Sequence, residues 1–144
     1  MKLSTGKLAF PIEFDNGDVQ NIYFNPNDPD LAIRMKDFQG KVEVRTKDLE
    51  DIKLKQDGKP EDTSAIERFR EIRNIVCEEL DTAFNGDISS VVFKHCSPFA
   101  VVNGDYFIMQ FIKGIKPEIE KHIKKANAAV EKKMRKHIAN YVKK

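Results

Sequence analysis

The sequence predicts an α+β fold that is mainly α-helical: an N-terminal β-hairpin packed on an antiparallel helical hairpin, followed by a basic C-terminal helix kinked at a proline. Three observations predict it. Two short segments with alternating apolar residues come first, two apolar stripes at helical spacing follow, and a third, lysine-rich stripe runs toward the C-terminus. A chain of 144 residues suits one domain with a modest core.

Segments 3–10 and 19–24 are the predicted strands of the N-terminal hairpin. Segment 15–18 between them reads Asp-Asn-Gly-Asp, and Asn-Gly is the preferred pair for a type I′ turn, in which both central residues have a positive φ. The residues that give each strand an apolar face are Ile12, Phe14, Ile22 and Phe24. Because a lone hairpin is marginally stable in water, we expect this one to pack on a helix.

The helical hairpin is predicted to begin at Asp28-Pro29, since aspartate can cap free N–H groups and proline is pre-set for the first helical position. The first apolar stripe consists of Leu31, Met35, Phe38, Val42, Leu49 and Ile52. The second follows Gly58 and consists of Ile66, Phe69, Val76, Leu80 and Ala83. In each stripe one of the expected apolar positions is occupied by an arginine: Arg45 in the first stripe and Arg73 in the second. Folding the chain back across Gly58 would bring these two arginines into one layer unless Val44 and Ile72 rotate inward there.

A break in the first helix is an alternative at Gly40, because glycine and the β-branched Val42 and Val44 lower helix propensity there. The apolar spacing nevertheless continues on both sides of this point. We therefore favour a long helical hairpin, with Phe38 and Phe69 on facing stripes.

The second helix is predicted to end with Gly86 as its left-handed cap. Residues 88–102 form an apolar connection without clear periodicity. A final helix is then expected to start near Asn103 or Asp105.

The final helix contains Pro117, which either kinks or restarts it because proline removes one backbone hydrogen bond. We divide the chain here into a core domain, residues 1–116, and a basic C-terminal helix with a frayed tail, residues 117–144. The last four residues, 141–144, are the ones expected to fray. The apolar stripe of this helix consists of Phe107, Ile108, Phe111, Ile112, Ile115, Ile119, Ile123, Ala126, Val130, Met134 and Ile138.

The net charge of +2 is divided unevenly, with +8 on residues 113–144 and −6 on residues 1–112. A cationic segment can bind nucleic acid, a membrane surface or an acidic protein, or it can be a helix whose charged side chains are simply solvated. The predicted basic patch consists of Lys124, Lys125, Lys132, Lys133, Arg135 and Lys136. No apolar run reaches the length of a membrane span, and residues 1–12 lack the apolar region of a signal peptide. We therefore expect a cytoplasmic protein without a membrane partner.

Motifs for catalysis or metal binding are sparse. His95 and Cys96 are neighbours in sequence, but a catalytic Cys/His pair has to meet across space with a third, orienting group. His122 and His137 have no partner at the i+3 or i+4 spacing of a helical metal site. We expect a protein that is not an enzyme and that holds no metal and no cofactor, with Cys77 as a buried thiol.

Nucleic-acid binding is the less favoured use of the basic segment. Tyr141 is the only aromatic residue beyond Pro117, so the stacking surface of single-strand binders is missing. No helix-turn-helix or zinc-finger pattern is present in the sequence.

Three segments combine with the N-terminal strand pair and the charged helical hairpin into a recognisable arrangement. They are 24–34 (FNPNDPDLAIR), 74–86 (NIVCEELDTAFNG) and 107–121 (FIMQFIKGIKPEIEK). This arrangement resembles the tail assembly chaperones of long-tailed, siphovirus-type phages and prophages of Gram-positive bacteria. The likeness covers most of the chain, although the connection 88–102 is more apolar than that family leads us to expect.

The resemblance implies a non-enzymatic protein that coats the long, helical tape measure protein and keeps it soluble while tail tube subunits polymerise around it. Its partners would be the tape measure protein, the tail tube protein and, in a homo-oligomer, further copies of itself. It would act in the cytoplasm of the bacterial host and be absent from the mature virion. The alternatives are a structural tail component and a basic nucleic-acid-binding protein.

A protein that holds an apolar client needs an apolar stripe flanked by charge. The alternative use of the same stripe is packing on the helical hairpin. The residues that we select for partner binding are Phe107, Phe111, Ile115, Ile119, Ile123, Val130 and Met134.

Overall fold

The structure is a computed structural model that describes residues 1–142. Its elements are β1 (Leu8–Glu13), β2 (Val19–Phe24), α1 (Pro29–Glu50), α2 (Thr63–Phe84), α3 (Ser89–Val92), β3 (Val101–Val102), β4 (Asp105–Tyr106) and α4 (Phe107–Val142). The fold is α+β and mainly helical, with an N-terminal two-stranded hairpin, as the sequence predicts.

The N-terminal hairpin pairs β1 with β2 in antiparallel register, from Leu8 opposite Phe24 to Glu13 opposite Val19. Its turn is not the predicted type I′. Gly17 has a φ of 87°, whereas Asn16 does not have a positive φ. The Gly17 N–H donates to the Phe14 carbonyl at 3.0 Å. This is a three-residue loop, which needs the left-handed conformation only at its glycine.

The type I′ geometry occurs instead between β3 and β4. Asn103 and Gly104 have φ values of 52° and 81° and join a pair of two-residue strands. Because these residues form a turn, α4 begins at Phe107, later than the predicted start at Asn103 or Asp105.

The start of α1 is the predicted one, because the Asp28 carboxylate accepts a hydrogen bond from the Asp30 N–H at 3.0 Å. The helix passes through Gly40 without a break. At the end of α2 the left-handed residue is Asn85, with a φ of 55°, and not Gly86 as predicted. Asparagine tolerates this conformation better than other residues with a Cβ, so the cap moves one position.

The connection after α2 is more ordered than its irregular sequence pattern indicates. The Asp81 carboxylate accepts hydrogen bonds from the Ile88 N–H at 2.9 Å and from the Ser89 N–H at 2.7 Å. The Ser89 hydroxyl donates to the second carboxylate oxygen at 2.8 Å. These bonds hold the short α3 against the end of α2.

The core consists of two apolar clusters. The larger one joins the hairpin, the first half of α1, the end of α2, α3 and the first half of α4. A series of ring contacts, Phe10 to Phe24 to Phe84 to Phe111, runs through it. The smaller cluster consists of Leu49, Ile52, Ile72, Val76 and Phe99.

The apolar stripes of α1 and α2 face each other, but Phe38 and Phe69 lie in different core clusters. Phe38 is buried in the larger cluster, and Phe69 packs at the edge of the smaller one. The antiparallel pairing of α1 and α2 explains this, because the first half of α1 contacts the end of α2.

α4 is one uninterrupted helix of 36 residues with Pro117 inside it, so the chain does not restart there. At 1.5 Å per residue its length is about 54 Å. Packing against the core continues past the division at residue 116, through the buried Ile119 to the half-buried Ile123. Two of the four residues expected to fray, Lys143 and Lys144, lie outside the described residues.

Candidate partner-binding site

The residues selected for partner binding occupy three different places. Phe107, Phe111 and Ile115 line a groove beside β1, and they also pack in the larger core cluster, where Ile115 is buried and the two phenylalanines are half-buried. Ile119 and Ile123 pack in the larger core cluster. Val130 and Met134 lie in the second half of α4, where 57% and 59% of each residue is exposed. The structure therefore divides the predicted stripe into a part that packs on the core, whose first three selected residues also line the groove, and a solvent-exposed segment.

The groove lies between β1 and the first turns of α4, and its volume is about 1040 Å³. We call it the β1/α4 groove. Side chains on a strand alternate between faces, and side chains four apart on a helix share a face, so each element supplies three apolar residues. These residues are Phe10, Ile12 and Phe14 from β1 and the residue after it, and Phe107, Phe111 and Ile115 from α4.

Gly114 lies in the wall of the groove, in the interior of α4. A Cβ atom at this position would meet no other atom within 4 Å. Glycine lowers helix stability by roughly 1 kcal/mol relative to alanine, and no close contact of the fold requires it here. The glycine leaves the groove wider than an alanine would.

The border of the β1/α4 groove is acidic. Glu13 and Asp15 line it on the hairpin side, and Glu118 lines it on the α4 side. Among the described residues no lysine or arginine lines the groove, and Glu13 and Glu118 form no ion pair. We call these three carboxylates the acidic rim. They favour a ligand that combines apolar side chains with positive charge.

One end of the groove is fixed by a contact between the hairpin loop and the segment after α3. His95 Nε2 lies 2.7 Å from Asp18 Oδ2, and the His95 ring packs edge-on against Phe14. The hydrogen bond from His95, with further bonds from Gln20 and Lys94, lowers the pKa of Asp18 from 3.8 to about 2. His95 is therefore paired with an aspartate.

The two thiols are not activated. Burial, and secondarily the charge of Asp15, raises the pKa of Cys96. Burial, and secondarily the charge of Asp81, raises the pKa of Cys77. The sequence predicts a buried thiol at this position, but Cys77 is only half-buried. A raised pKa keeps a thiol neutral, and the thiolate is the nucleophilic form.

The part of α4 from residue 124 to residue 140 is solvent-exposed. All residues from Lys124 to Asn140 are exposed except the half-buried Ala126. We call residues 124–140 the arm. Val130, Met134 and Ile138 form an apolar stripe on one side of it, each more than half exposed. The six residues of the predicted basic patch all lie on the arm and are all exposed.

The two apolar surfaces differ in what the sequence discloses. The arm can be recognised from the sequence alone, because its apolar spacing and its basic residues lie within one continuous segment. The groove requires the contact between β1 and α4, and Glu13, Asp15, Glu118 and Gly114 carry no sequence signal for it. The alternation of Phe10, Ile12 and Phe14 was the one available clue, because it continues beyond the end of the paired strand.

Within residues 1–142, no three His, Cys, Asp or Glu side chains converge to form a metal site. No helix in this part of the chain combines the length and apolar character that crossing a membrane would require. Comparisons with models of protein families, with curated proteins and with solved structures found no match to this chain.

Proposed function

We propose that this chain is a phage tail assembly chaperone that binds the tape measure protein and keeps it soluble until tail tube subunits enclose it. The observation that carries the proposal is the arm: an amphipathic helical segment whose apolar stripe contacts nothing in the described fold. Exposed apolar stripes flanked by charge are typical of surfaces that capture amphipathic helices. The resemblance of segments 24–34, 74–86 and 107–121 to this chaperone family supports the same function.

The arm suits a client that would aggregate alone. Its apolar stripe can cover the apolar face of a long helix, while its lysines keep the complex charged and in solution. Protein binding of this kind needs no catalytic group, cofactor or metal. It acts in the host cytoplasm, before the virion is complete.

The test is co-expression with the long helical protein encoded nearby. Wild-type chain is expected to raise the soluble yield of that protein. Val130→Asp with Met134→Asp should remove the benefit while this protein's own melt, followed by circular dichroism, stays unchanged, because neither residue contacts the core.

The matched control is Ala128→Asp with Ala129→Asp. It adds the same two charges to exposed positions outside the apolar stripe and should keep full chaperone activity. If wild type gives no rise in soluble client although both proteins are well expressed, the proposal is abandoned. Presence of the chain in purified particles would favour a structural tail component instead.

The exposed cations of the arm favour one second candidate, nucleic-acid binding. Six basic side chains on one helix could neutralise phosphates without reading sequence. Such binding would be steeply salt-dependent. A sub-micromolar complex with duplex DNA at physiological salt that is lost on Lys132→Glu with Lys136→Glu would support this candidate over the chaperone.

A further inference from the structure

We propose that the β1/α4 groove receives the arm of a second copy of this chain, so that two copies exchange arms in a dimer. This interaction goes beyond client binding and needs no client. Both complementary surfaces are present in one sequence: an apolar groove with an acidic rim, and an apolar stripe flanked by basic residues.

The arm of a chain cannot enter its own groove. The groove wall, from Phe107 to Glu118, and the arm, from Lys124 onward, are successive parts of one uninterrupted helix. Folding back would require α4 to break. An arm seated in the groove must therefore come from another copy.

The dimensions of the two surfaces agree. The wall of the groove from Phe107 to Glu118 extends about 16 Å along α4, at 1.5 Å per residue. The stripe from Val130 to Ile138 extends about 12 Å on the same basis. The whole stripe can thus lie within the groove.

The charges also agree in position. With about 100° between successive residues, Lys133 and Arg135 lie on either side of the apolar stripe, each about 100° from Met134. Lys132 and Lys136 lie about 160° from it, on the far side of the arm. When the stripe faces the groove, Lys133 and Arg135 are the cations beside the acidic rim, and Lys132 and Lys136 face solvent.

A helix fits this groove better than an added β-strand would. β1 is paired only with β2 in the described structure, so its other edge is free. However, Pro11 lies within β1 and has no N–H to donate to a further strand. The six apolar side chains of the groove are better used by a helix that inserts its own apolar side chains.

The first experiment is sedimentation of the full-length chain without any client. Wild type is expected to be a dimer at 100 μM or about that concentration, in the range where weak interfaces associate. Wild type that remains monomeric overturns the proposal. A series of species that keeps growing with concentration also overturns it, because exchanged arms close at two copies.

The second experiment exchanges the charges. Rim variant Glu13→Lys with Glu118→Lys and arm variant Lys133→Glu with Arg135→Glu are each expected to be monomeric, with dimer Kd raised about tenfold or more by like-charge contacts. Mixing the two variants should restore a dimer, since each groove then meets an arm of opposite charge. Folded variants that fail to associate on mixing, or that still form dimers alone, contradict the proposal.

Three further variants test whether the charges beside the stripe matter more than the arm's total charge, and whether the groove itself is occupied. Lys132→Glu with Lys136→Glu makes the same charge change on the far side and should leave the dimer intact. Gly114→Leu should fill the groove and give a folded monomer, whereas Gly40→Leu, also with open space around its Cβ, should remain dimeric. If Gly114→Leu dimerises like wild type, the arm is not in the groove.

Discussion

Arg45 on α1 and Glu79 on α2 form an ion pair across the helical hairpin, with Arg45 Nε donating to Glu79 Oε1 at 2.8 Å. The pair lies where the larger core cluster gives way to the smaller one, and it fills the position that the α1 stripe skips. The sequence pattern placed Arg45 opposite Arg73. The structure instead pairs it with an acid, while Ile72 is fully buried and Val44 stays exposed.

Breaking this pair from one side is expected to destabilise the fold. Arg45→Met leaves the Glu79 carboxylate, with 13% of its side chain exposed, without its cation and should lower the free energy of unfolding by about 1–3 kcal/mol. Arg45→Met with Glu79→Leu should recover most of this loss, because no uncompensated charge remains. Urea unfolding of wild type, Arg45→Met, Glu79→Leu and the double variant measures the coupling, and simple additivity of the two single changes would contradict it.

The Asp18–His95 contact makes stability depend on pH in acid. Since folding lowers the pKa of Asp18 from 3.8 to about 2, the unfolded chain binds more protons than the folded chain between these values. This contribution to stability is complete above about pH 4 and is lost as the pH falls toward 2. Urea midpoints measured from pH 5 to pH 2.5 should therefore fall less steeply for Asp18→Asn than for wild type. Asp37→Asn, at an exposed position of α1, is the control and should follow the wild-type slope.

Phe84 joins the hairpin, α2 and α4 through its contacts with Phe24 and Phe111. It is 2% exposed, so Phe84→Ala should cost about 3–5 kcal/mol of unfolding free energy. Tyr23→Ala removes a ring of similar size that is 54% exposed and should cost much less. If urea titrations show equal losses of unfolding free energy for the two variants, the series of aromatic contacts does not stabilise the packing of the hairpin.

Two glycines should respond in opposite ways to alanine. Gly40 lies in the interior of α1 with open space around its Cβ, so Gly40→Ala should stabilise the fold by about 0.5–1 kcal/mol. Gly104 has a φ of 81° in the turn between β3 and β4, so Gly104→Ala should destabilise by about 1–2 kcal/mol. Thermal melts of both variants give the comparison, and shifts of the same sign would be inconsistent with it.

The sequence predicts correctly those parts of the fold that depend on residues close together in the chain. The cap at Asp28, the helical stripes of α1 and α2 and the exposed stripe of the arm all follow from spacing and composition. Turn type did not follow. Asn16-Gly17 and Asn103-Gly104 are the same dipeptide, yet only the second forms the two-residue turn, because the length of the loop is set by strand register.

The candidate site was predictable only in part for the same reason. Val130 and Met134 need no tertiary contact to be recognised as an amphipathic face. Ile119 and Ile123 belong to the same stripe but pack in the larger core cluster, and no periodicity separates the buried turns of one helix from its exposed turns. Glu13 and Glu118 are 105 positions apart in the chain, so their common place at the groove depends wholly on the packing of β1 beside α4.

The arm contributes almost no packing to the fold, so its sequence is constrained by its partners and hardly at all by folding. A substitution between Asn127 and Asn140 that preserves the helix has little effect on folding, whereas one at Ile108 or Ile112 disturbs the core. Descendants of this chain could therefore exchange one partner for another by drift in the arm alone. We expect lineages to diverge fastest in this segment while the hairpin and the first half of α4 change slowly.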